Sequence, residues 1–229
     1  MTREEPLAAG FYGRRKGKAL REEQSERFTR LLPSLRVDLS APIKNPATLF
    51  FPPVTGLRIE IGFGGGEHLA HTAFHEPHIG FFGCEPFVNG VAKMMGEIEH
   101  RGLRNVRLHD GNAIDLLARL PEASIDRIYL LYPDPWPKRR QRKRRFVSPA
   151  SLKEFARVLK PGGEFRFASD IDDYVGWTLQ RVADSPDFCW SAETANDWRL
   201  PYADWPGTRY EAKAKREGRM PSYLTFIRT

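Results

Sequence analysis

Acids and an amide recur in this chain at the places where short apolar runs end. The first run, Ile59-Glu60-Ile61-Gly62-Phe63-Gly64-Gly65-Gly66, passes into a glycine-rich turn. With no side chains at Gly62 and Gly64, the backbone there can approach a ligand closely. A dinucleotide fingerprint needs a further glycine at position 67, where this chain has Glu67, a negative charge beside the place a pyrophosphate would occupy. A nicotinamide cofactor is therefore disfavoured. Adenosylmethionine, which carries a sulfonium and an amino group but no phosphate, suits an acid at the strand end, Glu60, better. Glu85 closes the second run about twenty residues past the glycines, where a carboxylate accepts both hydroxyls of a ribose; the alternative is an exposed strand-end acid. Asn112, after the third run, either hydrogen-bonds an adenine edge or caps the following helix. Falling at three successive strand ends in order, these residues argue together for a nucleoside site.

The fourth run ends in Tyr132-Pro133-Asp134-Pro135-Trp136-Pro137-Lys138. Three prolines in alternation exclude helix and fix an extended loop, which holds Asp134 at the mouth of the site. Trp136 either stacks on a target base or braces the loop. Directly after it, Lys138 to Arg145 holds seven basic residues in eight positions, broken only by Gln141. Such a tract is either a solvated basic surface or a phosphate clamp, and its place beside the reacting loop favours the clamp. The net charge is +7, and without those seven residues the remaining 29 Lys and Arg would match the 29 Asp and Glu. The whole excess sits in one segment, which points to a polyanionic partner.

Positioning these residues takes strands alternating with helices. Leu57 to Ile61, His78 to Glu85, Val106 to His109, Ile125 to Tyr132 and Glu164 to Ala168 read as strands. Between them, Glu67 to Phe74, Phe87 to Arg101, Ala113 to Leu120 and Pro149 to Leu159 read as helices, the last capped by Ser148 and stopped by Pro161-Gly162-Gly163. A helix at Asp172 to Val182 and a final strand at Tyr223 to Ile227, antiparallel to its neighbour, complete the pattern. It predicts an α/β fold with a mostly parallel sheet covered on both faces, whose ligands bind beyond the carboxyl ends of the strands. Residues 1–50 read as a polar, partly flexible N-terminal arm ahead of a domain over 51–229. The arm carries a basic patch, Arg14 to Lys18, which is either a mobile RNA contact or a basic tail.

Several classes are excluded as expectations. The longest uncharged stretches are too short to span a bilayer, and the N-terminus mixes acids with bases, so no membrane segment or signal peptide is expected. Two cysteines, Cys84 and Cys189, lack C-x-x-C spacing, and the histidines His68, His71, His75 and His78 lack an obvious third ligand; neither a disulfide framework nor a metal site is expected. A reducing cytoplasm fits. Monomer and homodimer are both compatible with the sequence.

Glu-Ile-Gly-Phe-Gly at 60–64, followed by Pro-Asp-Pro-Trp-Pro-Lys at 133–138, the basic tract, Ser169-Asp170 and Thr208-Arg209-Tyr210-Glu211, resembles the bacterial tRNA (guanine-N7-)-methyltransferases from about Phe11 to the C-terminus. The proline loop joined to its basic tract is the most specific element; the glycine turn is common to many methyltransferases. The resemblance implies the Rossmann-like, seven-stranded class I methyltransferase fold, adenosylmethionine as donor, and a guanine in the variable loop of tRNA as acceptor. It implies cofactor-site roles for Glu60, Glu85, Asn112 and Asp134, the last also the expected catalytic residue, and substrate contacts for Lys138, Asp170, Thr208, Arg209, Tyr210 and Glu211. RNA contact is implied for Arg139, Arg140, Arg142, Lys143, Arg144 and Arg145. Asn112 departs from a common Asp, Gln141 from a common His, and Ala212 to Arg219 is unusually basic.

N7 of guanine has an in-plane lone pair and no proton, so its methylation needs no general base and can rest on positioning and electrostatics. The product purine is cationic. A carboxylate such as Asp134 could stabilise that charge or hold the guanine amino edge, and Asp170 could do the second. Two other readings stay open: a methyltransferase acting on a different RNA base, DNA or a protein side chain, and a non-catalytic RNA-binding subunit on the same scaffold.

Overall fold

Residues 12–229 are described by the structure, a computed structural model, so the start of the expected arm lies outside them. Apolar runs at the anticipated places form seven strands: β1 (Gly56–Ile61), β2 (Ile79–Cys84), β3 (Val106–His109), β4 (Ile125–Leu131), β5 (Leu159–Ser169), β6 (Phe188–Trp190) and β7 (Ser222–Arg228). They make one sheet in the order β3-β2-β1-β4-β5-β7-β6. The first five strands pair in parallel, while β7 lies antiparallel to both β5 and β6. The chain reverses direction of travel across the sheet between β1 and β4, and the crevice beyond their carboxyl ends is where such a sheet takes a ligand.

Eight α-helices accompany it among the described residues: α1 (Glu22–Leu35), α2 (Glu67–His75), α3 (Val88–Arg101), α4 (Ala113–Leu117), α5 (Pro149–Val158), α6 (Asp172–Ala183), α7 (Asn196–Arg199) and α8 (Arg209–Arg216). On one face, Ile59, Ile128, Phe165, Phe167, Leu224 and Phe226 alternate inward along their strands and are wholly buried under α4, α5 and α6. Each contributes about 1.5–3 kcal/mol by leaving water. The opposite face is divided. Its β1–β3 half packs Phe81, Val106 and Leu108 against Leu69 of α2, Met94 of α3 and Leu32 of α1. Its β4–β5–β7 half is roofed by Tyr202 and Trp205 over Tyr129 and Tyr223. That thinner roof accommodates charge: Arg58, Arg127 and Arg166 point to this face and pair with Glu76 and Glu164.

Two elements add detail that the sequence reading lacked. Within the stretch expected as a partly flexible arm, α1 is a formed helix, because Phe28, Leu31, Leu32 and Leu35 share one face and Arg27 reaches Glu99 of α3 at 2.8 Å. The helix expected over Pro149 to Leu159 ends at Val158, ahead of its expected stop; Pro161-Gly162-Gly163 itself lies within β5, near its start, and the β4–β5 register shifts between Ile125 and Arg127. Ser148 does cap α5, accepting from Ser151 N at 3.2 Å.

Candidate active site

At the carboxyl end of the sheet the ends of β1, β2 and β4 surround a cavity of about 350 Å³. The glycine turn forms its floor. Gly62 N–H donates to the Cys84 carbonyl at 2.8 Å, tying the turn to β2. Gly62 has φ +73° and the space where a Cβ would project is clear, so the backbone itself faces the cavity. Gly64 (φ +57°) is covered by α8: a Cβ there would come 3.3 Å from Arg209 Nη2 and 3.4 Å from Tyr210 Cε2. Behind the turn, Gly90 lets α3 approach so closely that a Cβ would lie 2.3 Å from the Gly64 carbonyl oxygen.

Glu85, one residue past β2, is fixed from both sides. Its Oε2 accepts from Gly64 N at 2.7 Å and its Oε1 from Phe87 N at 2.9 Å, which leaves lone pairs on both oxygens for a ligand. Burial pushes its pKa up; the two backbone donors and Arg209 oppose that rise. Asn112 satisfies both sequence readings at once, since its Oδ1 accepts from Ile114 N at 3.2 Å as a helix cap while the residue lines the cavity. Opposite stands Asp134. The two residues flanking its prolines, Tyr132 and Trp136, hold left-handed φ of 51° and 42°, a strained conformation for large side chains that fixes where Asp134 points. Desolvation raises its pKa.

The remaining expected residues divide by what already holds them. Glu60 is buried and does not line the cavity; its Oε2 meets His68 Nδ1 at 2.6 Å. Within the basic tract, Lys138, Arg139, Arg140 and Lys143 are exposed. Arg142 pairs with Asp173 at 2.7 Å, and Arg144 lies over Trp136 at 4.9 Å and Tyr12 at 5.1 Å. Arg145 is only 2% exposed: it donates to the Pro135 carbonyl at 2.9 Å, pairs with Asp173 and packs over Tyr174 and Trp177. That arginine braces the proline loop against α6.

Along α8, Arg209 and Tyr210 line the cavity, whereas Thr208 is the helix cap, accepting from Glu211 N at 3.1 Å. Glu211 is buried, with Trp205 Nε1 at 2.5 Å, Tyr223 OH at 2.7 Å and Lys215 on its carboxylate. Asp170 sits outside the cavity wall and accepts from Arg219 Nε at 2.6 Å. The wall also includes Tyr12 and Arg14, which sequence reasoning does not place there. Their signal is Phe11-Tyr12-Gly13 just before the basic patch, an aromatic step that only the fold brings to the site; Arg15 O and Asn89 anchor the segment to the start of α3.

The chain fits adenosylmethionine. The cavity has the size of a small-molecule site, a bare backbone turn on its floor, a ribose-competent carboxylate on one wall and an amide beyond it. Among the described residues, no group of three or more His, Cys, Asp or Glu could hold a metal ion, and no helix is long and apolar enough to cross a membrane.

Comparison with known proteins identifies the family. A family model described as "Putative methyltransferase" matches residues 55–222. The tRNA (guanine-N(7)-)-methyltransferase of Agrobacterium fabrum is 60% identical over 219 residues, covering 95% of this chain and 94% of that protein. That of Rhizobium etli is 57% identical over 227 residues, covering 99% of both. Among solved structures, an rRNA methylase from Streptococcus thermophilus matches with a TM-score of 0.52 at 11% identity, covering 76% of this chain and 86% of that one. A precorrin-6y C5,15-methyltransferase from Geobacter metallireducens matches with 0.52 at 15% identity, covering 93% and 94%. At those identities the structures speak for the class I methyltransferase fold alone. With near-full-length identity to sequence relatives of one kind and a cavity built for their donor, the chain belongs to the tRNA (guanine-N7-)-methyltransferase family.

Proposed function

We infer that this protein transfers the methyl group of adenosylmethionine to N7 of a guanine in the variable loop of tRNA, in the cytoplasm. The observation that carries this reading is the meeting of Glu85 and Asp134 in one cavity, the first on the side of the glycine turn and the second on the strained proline loop. When bound, adenosylmethionine supplies an electrophilic methyl on a sulfonium. Gly62, Glu85 and Asn112 bind and orient the donor, through bare backbone, ribose hydroxyls and adenine edge respectively. Glu60 acts from beneath, through its pair with His68, by holding the base of the turn.

Asp134 faces the acceptor. N7 has an in-plane lone pair and no proton, so the transfer would need no base: the carbon–sulfur bond would break as the nitrogen–carbon bond forms, its electron pair returning to sulfur to leave a neutral thioether, and the positive charge would pass to the purine ring. A carboxylate held at that place by rigid backbone stabilises the charge without reorganising. Tyr210 and Arg209 close the side of the cavity next to Gly64. Lys138, Arg139, Arg140 and Lys143, exposed beside the loop, contact phosphates and deliver the RNA.

The test is methyl transfer from labelled adenosylmethionine to unmodified tRNA, followed by cleavage selective for N7-methylguanine and mapping of the cut. A single cut in the variable loop is expected. Label incorporated without that cut moves the acceptor to another base or atom, and cofactor binding without incorporation overturns the reading for tRNA.

A further inference from the structure

Asp170 follows the last residue of β5, next to the end of β4 from which the reacting loop departs. Its Oδ2 accepts from Arg219 Nε at 2.6 Å, and among the described residues Oδ1 is left as an open acceptor. The sequence around Arg219 explains its aim. Helix α8 ends at Arg216, and just beyond its cap Gly218, with φ of +73°, lets the N–H groups of Gly218 and Arg219 return to the carbonyls of Lys215 at 3.1 Å and Ala214 at 2.9 Å. Three residues later Ser222 pairs with Ser169 in the β5–β7 ladder, so the turn bearing Arg219 is delivered to the end of β5. A second guanidinium nitrogen of Arg219 pairs with Glu217. Both sides of this guanidinium are thus occupied by carboxylates, unlike the exposed Arg139 and Arg140 of the basic tract.

We propose that Arg219 is a positioning residue for methyl transfer, holding the Asp170 carboxylate so that its open oxygen receives an N–H of the target purine's Watson–Crick edge. A planar guanidinium fixes a carboxylate's orientation as well as its charge, which an ammonium does not. The inference rests on the proposed acceptor and on Asp170, which lies outside the donor cavity just past the end of β5, as the residue that touches the acceptor there. Arg219 itself touches no substrate.

The experiment compares wild type with Arg219→Gln, Arg219→Lys, Asp170→Asn and the Arg219→Gln/Asp170→Asn double variant, measuring kcat, KM for tRNA, and tRNA affinity against salt. Wild-type transfer to guanine N7 comes first, so failure of the acceptor assignment is seen before any variant is compared. Arg219→Gln is expected to lower kcat roughly ten- to a hundredfold, the range that misplacing a positioned group costs, with KM and the salt slope unchanged. Arg219→Lys recovers part of that loss. In the Asp170→Asn background, Arg219→Gln costs nothing further, because its effect runs through the carboxylate. Losses that multiply in the double variant, a normal kcat in Arg219→Gln, or a weaker affinity with a shallower salt slope would each overturn the proposal; the last would make Arg219 a phosphate contact.

Discussion

Glu85 and Asp134 are both carboxylates whose pKa is raised by desolvation, but Glu85 is buried and Asp134 exposed, and their surroundings give them different work. Glu85 has a backbone N–H on each oxygen and is held in one orientation, as a binding residue must be. For Asp134 desolvation is the cause that raises its pKa, so it serves best where positive charge develops. Replacing it with Asn keeps the shape and removes the charge. Asp134→Asn should lower kcat by about 10²–10³-fold, the cost of losing a preorganised electrostatic group, while cofactor affinity measured by calorimetry changes little. The pH profile supplies a second reading. Because the folded-state pKa lies above the ordinary aspartate value of about 3.9, the active ionised form is lost as pH falls through that raised value. Wild-type kcat should therefore show an acid limb above the ordinary aspartate range, and the Asn variant should lose it; an unchanged limb would assign the titration elsewhere. At this scale the strand-end residues divide, because Glu60 is buried against His68 outside the cavity wall while three others reach it. Glu85, Asn112 and Asp134 reach the cavity; Thr208, three residues before Glu211, has the spacing of a helix cap and does cap α8, whereas nothing in the sequence marks Glu211 as buried.

Helix α8 is the element on which the site depends most visibly. It presents Arg209 and Tyr210 to the cavity and is pinned from below by Glu211, whose carboxylate gathers Trp205, Tyr223 and Lys215. Burial alone would raise the pKa of Glu211, yet these donors bring it below the ordinary value. A depressed folded-state pKa means stability that is present above the unfolded glutamate pKa and lost as pH falls through the folded one. Tyr223→Phe removes one of the charge-assisted bonds with little change in shape. It should cost about 1.5–3 kcal/mol in urea unfolding at neutral pH, and the penalty should shrink below the ordinary glutamate range as the carboxylate is protonated. A pH-independent penalty would mean packing, not the hydrogen bond, carries the effect. The first five strands were legible because each contains a short apolar run, whereas their order is seen only in the pairing. What stayed hidden has local causes. In α1 the stripe Phe28, Leu31, Leu32, Leu35 competes with Pro33 inside the helix and with five charges. At Pro161-Gly162-Gly163, residues that usually break structure are tolerated in β5 by a register shift with β4 that only the paired strand reveals.

For the whole molecule, a net charge of +7 held by one segment suggests a counterion-release account of RNA binding, and the fold revises its size. Of the seven cations between Lys138 and Arg145, Arg142 and Arg145 are paired with Asp173 and Arg144 is stacked on Trp136 and Tyr12. Four remain exposed: Lys138, Arg139, Arg140 and Lys143. Each phosphate neutralised releases condensed counterions, so the logarithm of tRNA affinity against the logarithm of salt should have a contribution of about one unit of slope per exposed cation from this tract. Replacing Arg139, Arg140 and Lys143 by Ala should thus reduce the slope by roughly three and weaken binding most at low salt, with unfolding and adenosylmethionine affinity as in the wild type. Arg145→Ala should behave oppositely. It strips the loop of a buried brace and leaves the Pro135 carbonyl without its donor, so it should destabilise the fold by about 1–3 kcal/mol and lower kcat while the salt slope stays nearly unchanged. Filter binding over a salt series, with thermal melts on the same preparations, separates the two. Equal slopes for the triple variant and the wild type would place the RNA backbone away from the tract, and a shallow slope for Arg145→Ala would mean that this arginine leaves Asp173 when RNA binds.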